Sequence, residues 1–355
     1  MDEWTFAILL PAFWSPFLSH PFRYHPLLFP FVIMAKESES EYFSPYRPDG
    51  KLYGFVCVVT SANQPVGKAI ATELAGPSTP HRSSRNSYSR LTAHGAACIY
   101  TCTQISQSSG LVDTLAQTHP NTRIIDYPYS ISSESDTLTL IDEALNTWGR
   151  LDVWVCSSGL LGPPTIETTT PSDLQKCFEA NSMAPFFALK YAPHAMAKLT
   201  PTKGNYPNAA PKDREYGSII VVSSTASTYG GCWGPCFTMS SHAALGVVRA
   251  GVAVLKGTGV RINCISPGQI DVGVDLKGMM DGQDKRGMHS QQLPPADLQS
   301  KEVQRANIGL ERAGQAGEVG KVAGFLASGF SSYITGQNLV VDGGAGVMCP
   351  IMVPV

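Results

Sequence analysis

Short runs of β-branched and apolar residues recur along the chain, alternating with segments of helical spacing, and this alternation restricts the fold more than any other feature. The runs are GFVCVVT (54–60), AACIYTC (96–102), LDVWVCSSG (151–159), GSIIVVSS (217–224), RINCISPG (261–268) and NLVVDGG (338–344). Near-continuous apolar runs of this length suit strands covered on both faces. Between them lie GKAIATELA (67–75), with Ile70, Ala71, Leu74 and Ala75 at helical spacing, the amphipathic segment 135–148 and the segment from Ser172 to Leu199. The pattern predicts an α/β fold: a single doubly wound, Rossmann-type parallel sheet with helices on both faces. Its ligand crevice is expected at the C-terminal ends of the strands.

That domain is expected over residues 51–345, between an N-terminal extension (1–50) and a C-terminal tail (346–355). The first 34 residues are apolar and aromatic, but Pro11, Pro16, Pro21, Pro26 and Pro30 prevent a helix of spanning length, and Asp2 and Glu3 do not make a basic secretory start. Residues 1–50 are therefore read as a disordered or spurious extension, with loose membrane association of 1–33 as the alternative. Residues 76–93, GPSTPHRSSRNSYSRLTA, have no hydrophobic periodicity and read as an inserted surface loop. Removing them would join ELA directly to HGAACIY, a short helix-to-strand connection. A functional loop and a stray translated segment both remain open.

A formal charge of −2 with 15% charged residues gives no electrostatic reason to expect nucleic acid or an anionic membrane as partner, which leaves small molecules. The odd number of cysteines, nine, spread along the chain, fits reduced thiols in the cytoplasm. Cys232 and Cys236 in CWGPC have one residue too many between them for the redox motif, and Cys98 and Cys102 lack the partners for a metal site, so no metal is expected.

Several motifs occur in an order that constrains function. TSANQPVG (60–67) stands in the first strand-to-helix turn, FEANSMAPFFALK (178–190) carries an asparagine within a helix, and GSIIVVSSTAS (217–227) places serines at a strand end; RINCISPGQI and YITGQNLVVDGG follow. From about Gly54 to about Gly344 this set resembles the short-chain dehydrogenase/reductase family. The resemblance implies a nicotinamide dinucleotide, hydride exchange with a carbonyl or alcohol, and a tyrosine that exchanges the proton. It also implies a lysine one helical turn later that binds the ribose and lowers the tyrosine pKa, a serine that steadies the substrate oxygen, and an asparagine that positions a water.

Carried onto this chain, the resemblance assigns the serine to Ser224 and the asparagine to Asn181. Thirteen residues after Ser224, at the tyrosine position, stands Phe237, and four residues further, at the lysine position, stands Ser241. Phenylalanine has no proton to give, and a serine hydroxyl has neither the charge nor the reach of an ammonium. The resemblance places Thr60, Ser61, Val66, Gly67, Gly159, Gly268 and Val272 against the cofactor. Ser61 and Pro65 replace two glycines of the family's T-G-x3-G-x-G turn, Cys156 and Ser157 replace the two asparagines before Gly159, and Val272 replaces a threonine, all pointing to weaker cofactor binding. No acid follows the second strand at Thr101, Cys102 or Thr103, which tips the expected cofactor from NAD to NADP; Arg82, Arg85 and Arg90 could meet a 2′-phosphate.

Each assignment has a plainer reading. Ser224 could cap a turn, Asn181 could brace the sheet, Tyr229 could be an exposed aromatic instead of a substitute phenol, and His242 is rotated about 100° from the Phe237 face. The function expected is an oxidoreductase for a carbonyl or alcohol of a small apolar metabolite, in specialised metabolism. The alternative is a non-redox protein on the same scaffold, a cyclase- or isomerase-type pocket or a catalytically silent binding subunit. A homo-oligomer paired through helices at 172–199 and 239–256 is implied by the resemblance.

Overall fold

A computed structural model of the chain describes residues 50–76, 95–103, 110–130, 132–163, 165–200, 212, 214–230, 232–271 and 305–348. The extension 1–49, the greater part of the 76–93 insertion, Val272 and the end of the C-terminal tail lie outside the described residues.

Seven strands form one parallel sheet. In chain order they are β1 (Val56–Thr60), β2 (Cys98–Thr103), β3 (Arg123–Pro128), β4 (Val153–Cys156), β5 (Gly217–Val222), β6 (Val260–Pro267) and, at the far edge, Asn338–Val341. A separate two-stranded ladder pairs β7 (Ile270–Asp271) with β8 (Gly314–Gln315), so the far edge strand is β9. The spatial order β3-β2-β1-β4-β5-β6-β9 reverses direction between β1 and β4, the place where a doubly wound sheet opens its crevice. The helices are α1 (Pro65–Ala75), α2 (Leu111–Thr118), α3 (Glu134–Trp148), α4 (Pro171–Phe178), α5 (Ala184–Met196), α6 (Pro235–Val254) and α7 (Ala316–Ala327).

The strand side chains alternate between two cores, as period two requires. Val58, Tyr100, Trp154 and Ile219 pack under α3, α5 and α6 through Leu140, Ala188 and Val248. Val59, Ile99, Val155 and Ile220 pack under α1, α2 and α7 through Ile70, Leu115 and Leu326. The doubly wound fold expected from the sequence is the fold observed. The sequence reading misses β3, α2 and α7. RIIDYP of β3 is an edge strand, buried at Ile124 but exposed at Arg123, Asp126 and Pro128, so no continuous apolar run marks it.

At the N-terminal end of the sheet, Asp152 is buried in a charged cluster. Arg150 donates to it through Nε at 2.8 Å, Lys212 approaches at 3.2 Å, and the Val56 N–H donates at 2.8 Å. Burial raises the Asp152 pKa, but the Lys212 and Arg150 charges outweigh it and hold the carboxyl below its usual range. At the neck of the insertion, Ala96 N–H donates to the Leu74 carbonyl at 2.9 Å. The Thr122 hydroxyl bridges the Ala75 and Ala96 carbonyls at 2.7 and 2.8 Å.

Candidate active site

The turn leaving β1 sets the floor of the crevice. Thr60 is fully buried, and its Oγ1 accepts from Ser157 N–H at 3.0 Å while the Ser157 hydroxyl donates to the Thr60 carbonyl. These bonds lock the ends of β1 and β4 together, so Thr60 acts as a brace. Ser61 follows at φ +50°, in the left-handed region that a glycine enters without cost. Gly67, in the first turn of α1, has no room for a side chain: a Cβ would lie 2.4 Å from the Ser61 carbonyl oxygen and 2.9 Å from Ser157 Oγ. Pro65 is the first residue of α1, where a helix has no use for its N–H and φ is already right. The expected loss at Pro65 is thus one donor, with the helix start intact. No side chain caps that start at Gln64, so the first-turn amides of Val66 and Gly67 get no side-chain acceptor from it.

Asn181 sits in a π-helical turn, Glu179–Met183, between α4 and α5. Its amide makes three hydrogen bonds. Oδ1 accepts from Leu160 N–H at 2.7 Å, and Nδ2 donates to the Leu160 carbonyl at 2.9 Å and to Ser240 Oγ at 2.8 Å. The side chain therefore ties the loop after Gly159 to α6. Gly159 itself is exposed, with ordinary clearance of 3.9 Å from Asn181 Oδ1.

Ser224 follows β5 and caps the 3₁₀ turn Thr225–Ser227, its Oγ accepting from Ala226 N–H at 3.2 Å. As an acceptor there, the hydroxyl retains its proton for a second partner. The adjacent Ser223 hydroxyl reaches the Ser241 carbonyl at 3.5 Å, which sets the register of α6 against the end of β5. Phe237 is half-buried in the first turn of α6 and Ser241 is buried one turn on. Gly268 packs against Asp342, where a Cβ would come within 2.6 Å of the Asp342 Cβ.

Other proton donors stand elsewhere. Tyr229 is half-buried, not exposed, and its hydroxyl lies where a Gly346 side chain would be, 2.8 Å from the Cβ position. His242 is exposed and bonds the Thr238 carbonyl of its own helix at 2.9 Å. The Lys212 ammonium lies 4.4 Å from the Tyr216 ring, but Tyr216 precedes β5 and Ser224 follows it, at opposite ends of the strand. Lys190 and Tyr191 share Glu134 on the surface. Of the CWGPC pair, Cys232 is exposed and Cys236 is buried in α6, both as free thiols.

At the turn between β1 and α1 the residues present fit the phosphates of a nicotinamide dinucleotide. Gly67 lets α1 close on the turn, and no side chain caps the helix start. Gly268 follows β6 directly. Beyond β2 the structure adds Asp126, which the sequence reading missed because β3 was not recognised; the edge-strand alternation around Ile124 was the available signal.

Fold and crevice together define a Rossmann-type α/β protein. Residues 87–346 match a family model described as enoyl-(acyl carrier protein) reductase; β1 and its turn precede the matched range. Momilactone A synthase of Oryza sativa subsp. japonica is 30% identical over 220 residues, covering 61% of this chain and 70% of the rice protein. (+)-Borneol dehydrogenase 2 of Salvia officinalis is 27% identical over 304 residues, covering 85% and 92%. A solved short-chain type dehydrogenase/reductase from Mycobacterium marinum superposes with a TM-score of 0.64 at 19% identity, covering 84% of this chain and 98% of that one. The chain belongs to the short-chain dehydrogenase/reductase family, whose members are oxidoreductases that use a nicotinamide cofactor.

Proposed function

We propose that the protein is a nicotinamide-dependent oxidoreductase acting on a carbonyl or alcohol of a small apolar metabolite, with a diminished proton relay. The observation that carries this reading is Gly67, whose position 2.4 Å (as Cβ) from the Ser61 carbonyl leaves space for backbone only, so the close approach of α1 to the turn is retained despite Ser61 and Pro65. A bound nicotinamide would supply or accept the hydride. Ser224 presents its hydroxyl to the substrate oxygen, and Asn181 holds the loop after β4 against α6. Val66, Gly67, Gly159 and Gly268 line the nucleotide path, Thr60 and Ser61 shape the turn, and Val272 is assigned to the carboxamide end from sequence alone.

Phe237 and Ser241 stand for the proton-donating tyrosine and its lysine in this reading. Loss of a general acid costs about 10²- to 10⁴-fold in rate, while positioning of the reactants survives. Water or a substrate hydroxyl supplies the proton. The relatives named for a momilactone synthase and a borneol dehydrogenase favour an apolar substrate of specialised metabolism.

A homo-oligomer is proposed through α5 and α6. α6 is apolar enough over its length to pass for a membrane-spanning helix, yet Ala244, Leu245 and Val248 pack into the core. Exposed Met239 and Val254 on α6 and Phe186 on α5 suit a second copy, in the cytoplasm.

Titration of the pure protein with NADH and NADPH, followed by nicotinamide fluorescence, tests the reading, together with a carbonyl panel followed by nicotinamide absorbance. Binding plus carbonyl-dependent oxidation is the expected result. Failure to bind either nucleotide would overturn it in favour of a non-redox role for the scaffold.

A further inference from the structure

The sequence CWGPC sets Cys232 beside Cys236, but the fold gives Cys236 a different neighbour. Cys232 Sγ turns toward the loop after β5, 3.7 Å from Thr225 Oγ1 and 3.9 Å from the Tyr229 carbonyl. Cys236 is buried in the first turn of α6, where α4 packs against it, and Cys177 is buried near the end of α4. The Cβ position of Gly162 locates the two thiols together. It lies 2.7 Å from Cys177 Sγ, 3.3 Å from Cys236 Cβ and 4.0 Å from Cys236 Sγ. Burial and the Cys236 thiol beside it push the Cys177 pKa up to about 11. Two sulfurs gathered about one point, on helices already in contact, meet the first requirement of a disulfide, proximity of the two side chains.

The loop after β4 covers them. Gly162 takes φ +66°, a region that favours glycine, and with no side chain it lies directly over the pair. The cover is thin, since Leu161 is exposed and Gly162 half-buried. The Trp233 indole N–H donates to the Gly162 carbonyl at 3.0 Å, fastening this loop to a residue three before Cys236.

We propose that Cys177 and Cys236 form a reversible regulatory disulfide, and that the Trp233–Gly162 hydrogen bond is the latch that sets how readily an oxidant reaches them. The oxidant is a peroxide. The Cys236 thiolate attacks one peroxide oxygen, the O–O bond breaks, and Cys236 becomes a sulfenic acid while the other oxygen takes up a proton and leaves as water. Cys177, which holds its proton more firmly, acts second: its sulfur displaces hydroxide from the Cys236 sulfur, and its proton joins that hydroxide as water. Two thiols lose two electrons and one hydrogen peroxide gains them. The new bond staples the end of α4, which runs into the π-helical turn of Asn181, to the turn of α6 that carries Phe237. The hydrogen bond between Asn181 and Ser240 already joins these elements, and oxidation makes their union covalent.

The test is disulfide mapping of the full chain, which is reduced, exposed to hydrogen peroxide, alkylated, digested without reductant and read by mass spectrometry. The expected result is a cross-linked peptide pair that holds Cys177 and Cys236 and is lost on treatment with dithiothreitol. The urea midpoint of the oxidised protein is expected above that of the reduced protein. Cys232→Ser should keep the cross-link, and Cys236→Ala should lose it. Trp233→Phe retains a ring but gives up the N–H, and should speed cross-linking about two- to tenfold, the factor that corresponds to one ordinary hydrogen bond. Cys236 joined to Cys232, or Cys177 and Cys236 recovered as free thiols after Cys232 has been oxidised, overturns the disulfide. An unchanged rate in Trp233→Phe overturns the latch. The wild-type map decides the pairing without any variant, and none of these readouts involves a nucleotide, so the oxidoreductase reading stands or falls separately.

Discussion

Asn181 and Ser240 stand 2.8 Å apart, the amide of one donating to the hydroxyl of the other, and Ser240 in turn donates to the Cys236 carbonyl at 2.7 Å. The relation joins the π-helical turn to the helix that carries Phe237. Asn181→Ala removes this bond and both bonds to Leu160, and is expected to cost about 1–3 kcal/mol in urea unfolding. Ser240→Ala breaks the same link, so the double variant should lose about 0.5 kcal/mol or more less than the sum of the two. Full additivity would show that the pair is not coupled.

Phe237 and Ser241 lie one turn apart on α6. If they stand where a proton relay is missing, Phe237→Tyr with Ser241→Lys should raise turnover of an accepted carbonyl by about 10²- to 10⁴-fold. Phe237→Tyr alone should gain less, because no ammonium then lowers the phenol pKa. Steady-state rates across pH check this: only the double variant should show a new ionisation below the usual phenol range.

Ser61 is held at φ +50°, and glycine enters that region without the clash of a Cβ. Ser61→Gly is expected to raise stability by up to about 1 kcal/mol after the greater freedom of glycine in the unfolded chain is set against it. The shift in urea midpoint measures it. An equal loss would place the serine hydroxyl in a bond that outweighs the backbone strain.

His119 caps the C-terminus of α2, is 4% exposed and has no partner at Nδ1 among the described residues. Burial pushes its pKa below the ordinary value, opposed in part by a hydrogen bond with the Gly76 backbone. The unfolded chain therefore binds the proton more readily than the folded one. Its contribution to stability is complete above about pH 6.5 and is lost as pH falls from there through the folded-state pKa. Urea midpoints at about pH 7.5 and 5.5 should differ less in His119→Gln than in wild type.

The sequence makes the central sheet legible and its margins not. β1, β4, β5 and β6 are wholly or almost wholly buried, so their apolar runs are visible without knowledge of their neighbours. β3 is an edge strand paired with β2 alone, and its charged and aromatic residues hide it. The omission hides Asp126 as well, because strand register, not sequence spacing, brings that acid beside Thr103. Motif order is what assigns Ser224 and Asn181, but the bonds of the Asn181 amide to Leu160 and Ser240 follow from a π-helical turn that no residue pattern announces. Tyr229 could not be assigned from sequence because what it packs against, Gly346, lies more than a hundred residues away.

The bond between Ala96 and Leu74, with Thr122 fastened to both sides of it, has a consequence for tinkering with this molecule. The two ends of the insertion are already stitched to each other by the domain itself, so the sheet does not depend on the intervening peptide to bring α1 to β2. A purification epitope, a reporter or a bare pair of glycines could be carried between Gly76 and Gly95, making this seam the natural address for engineering the scaffold without disturbing its crevice.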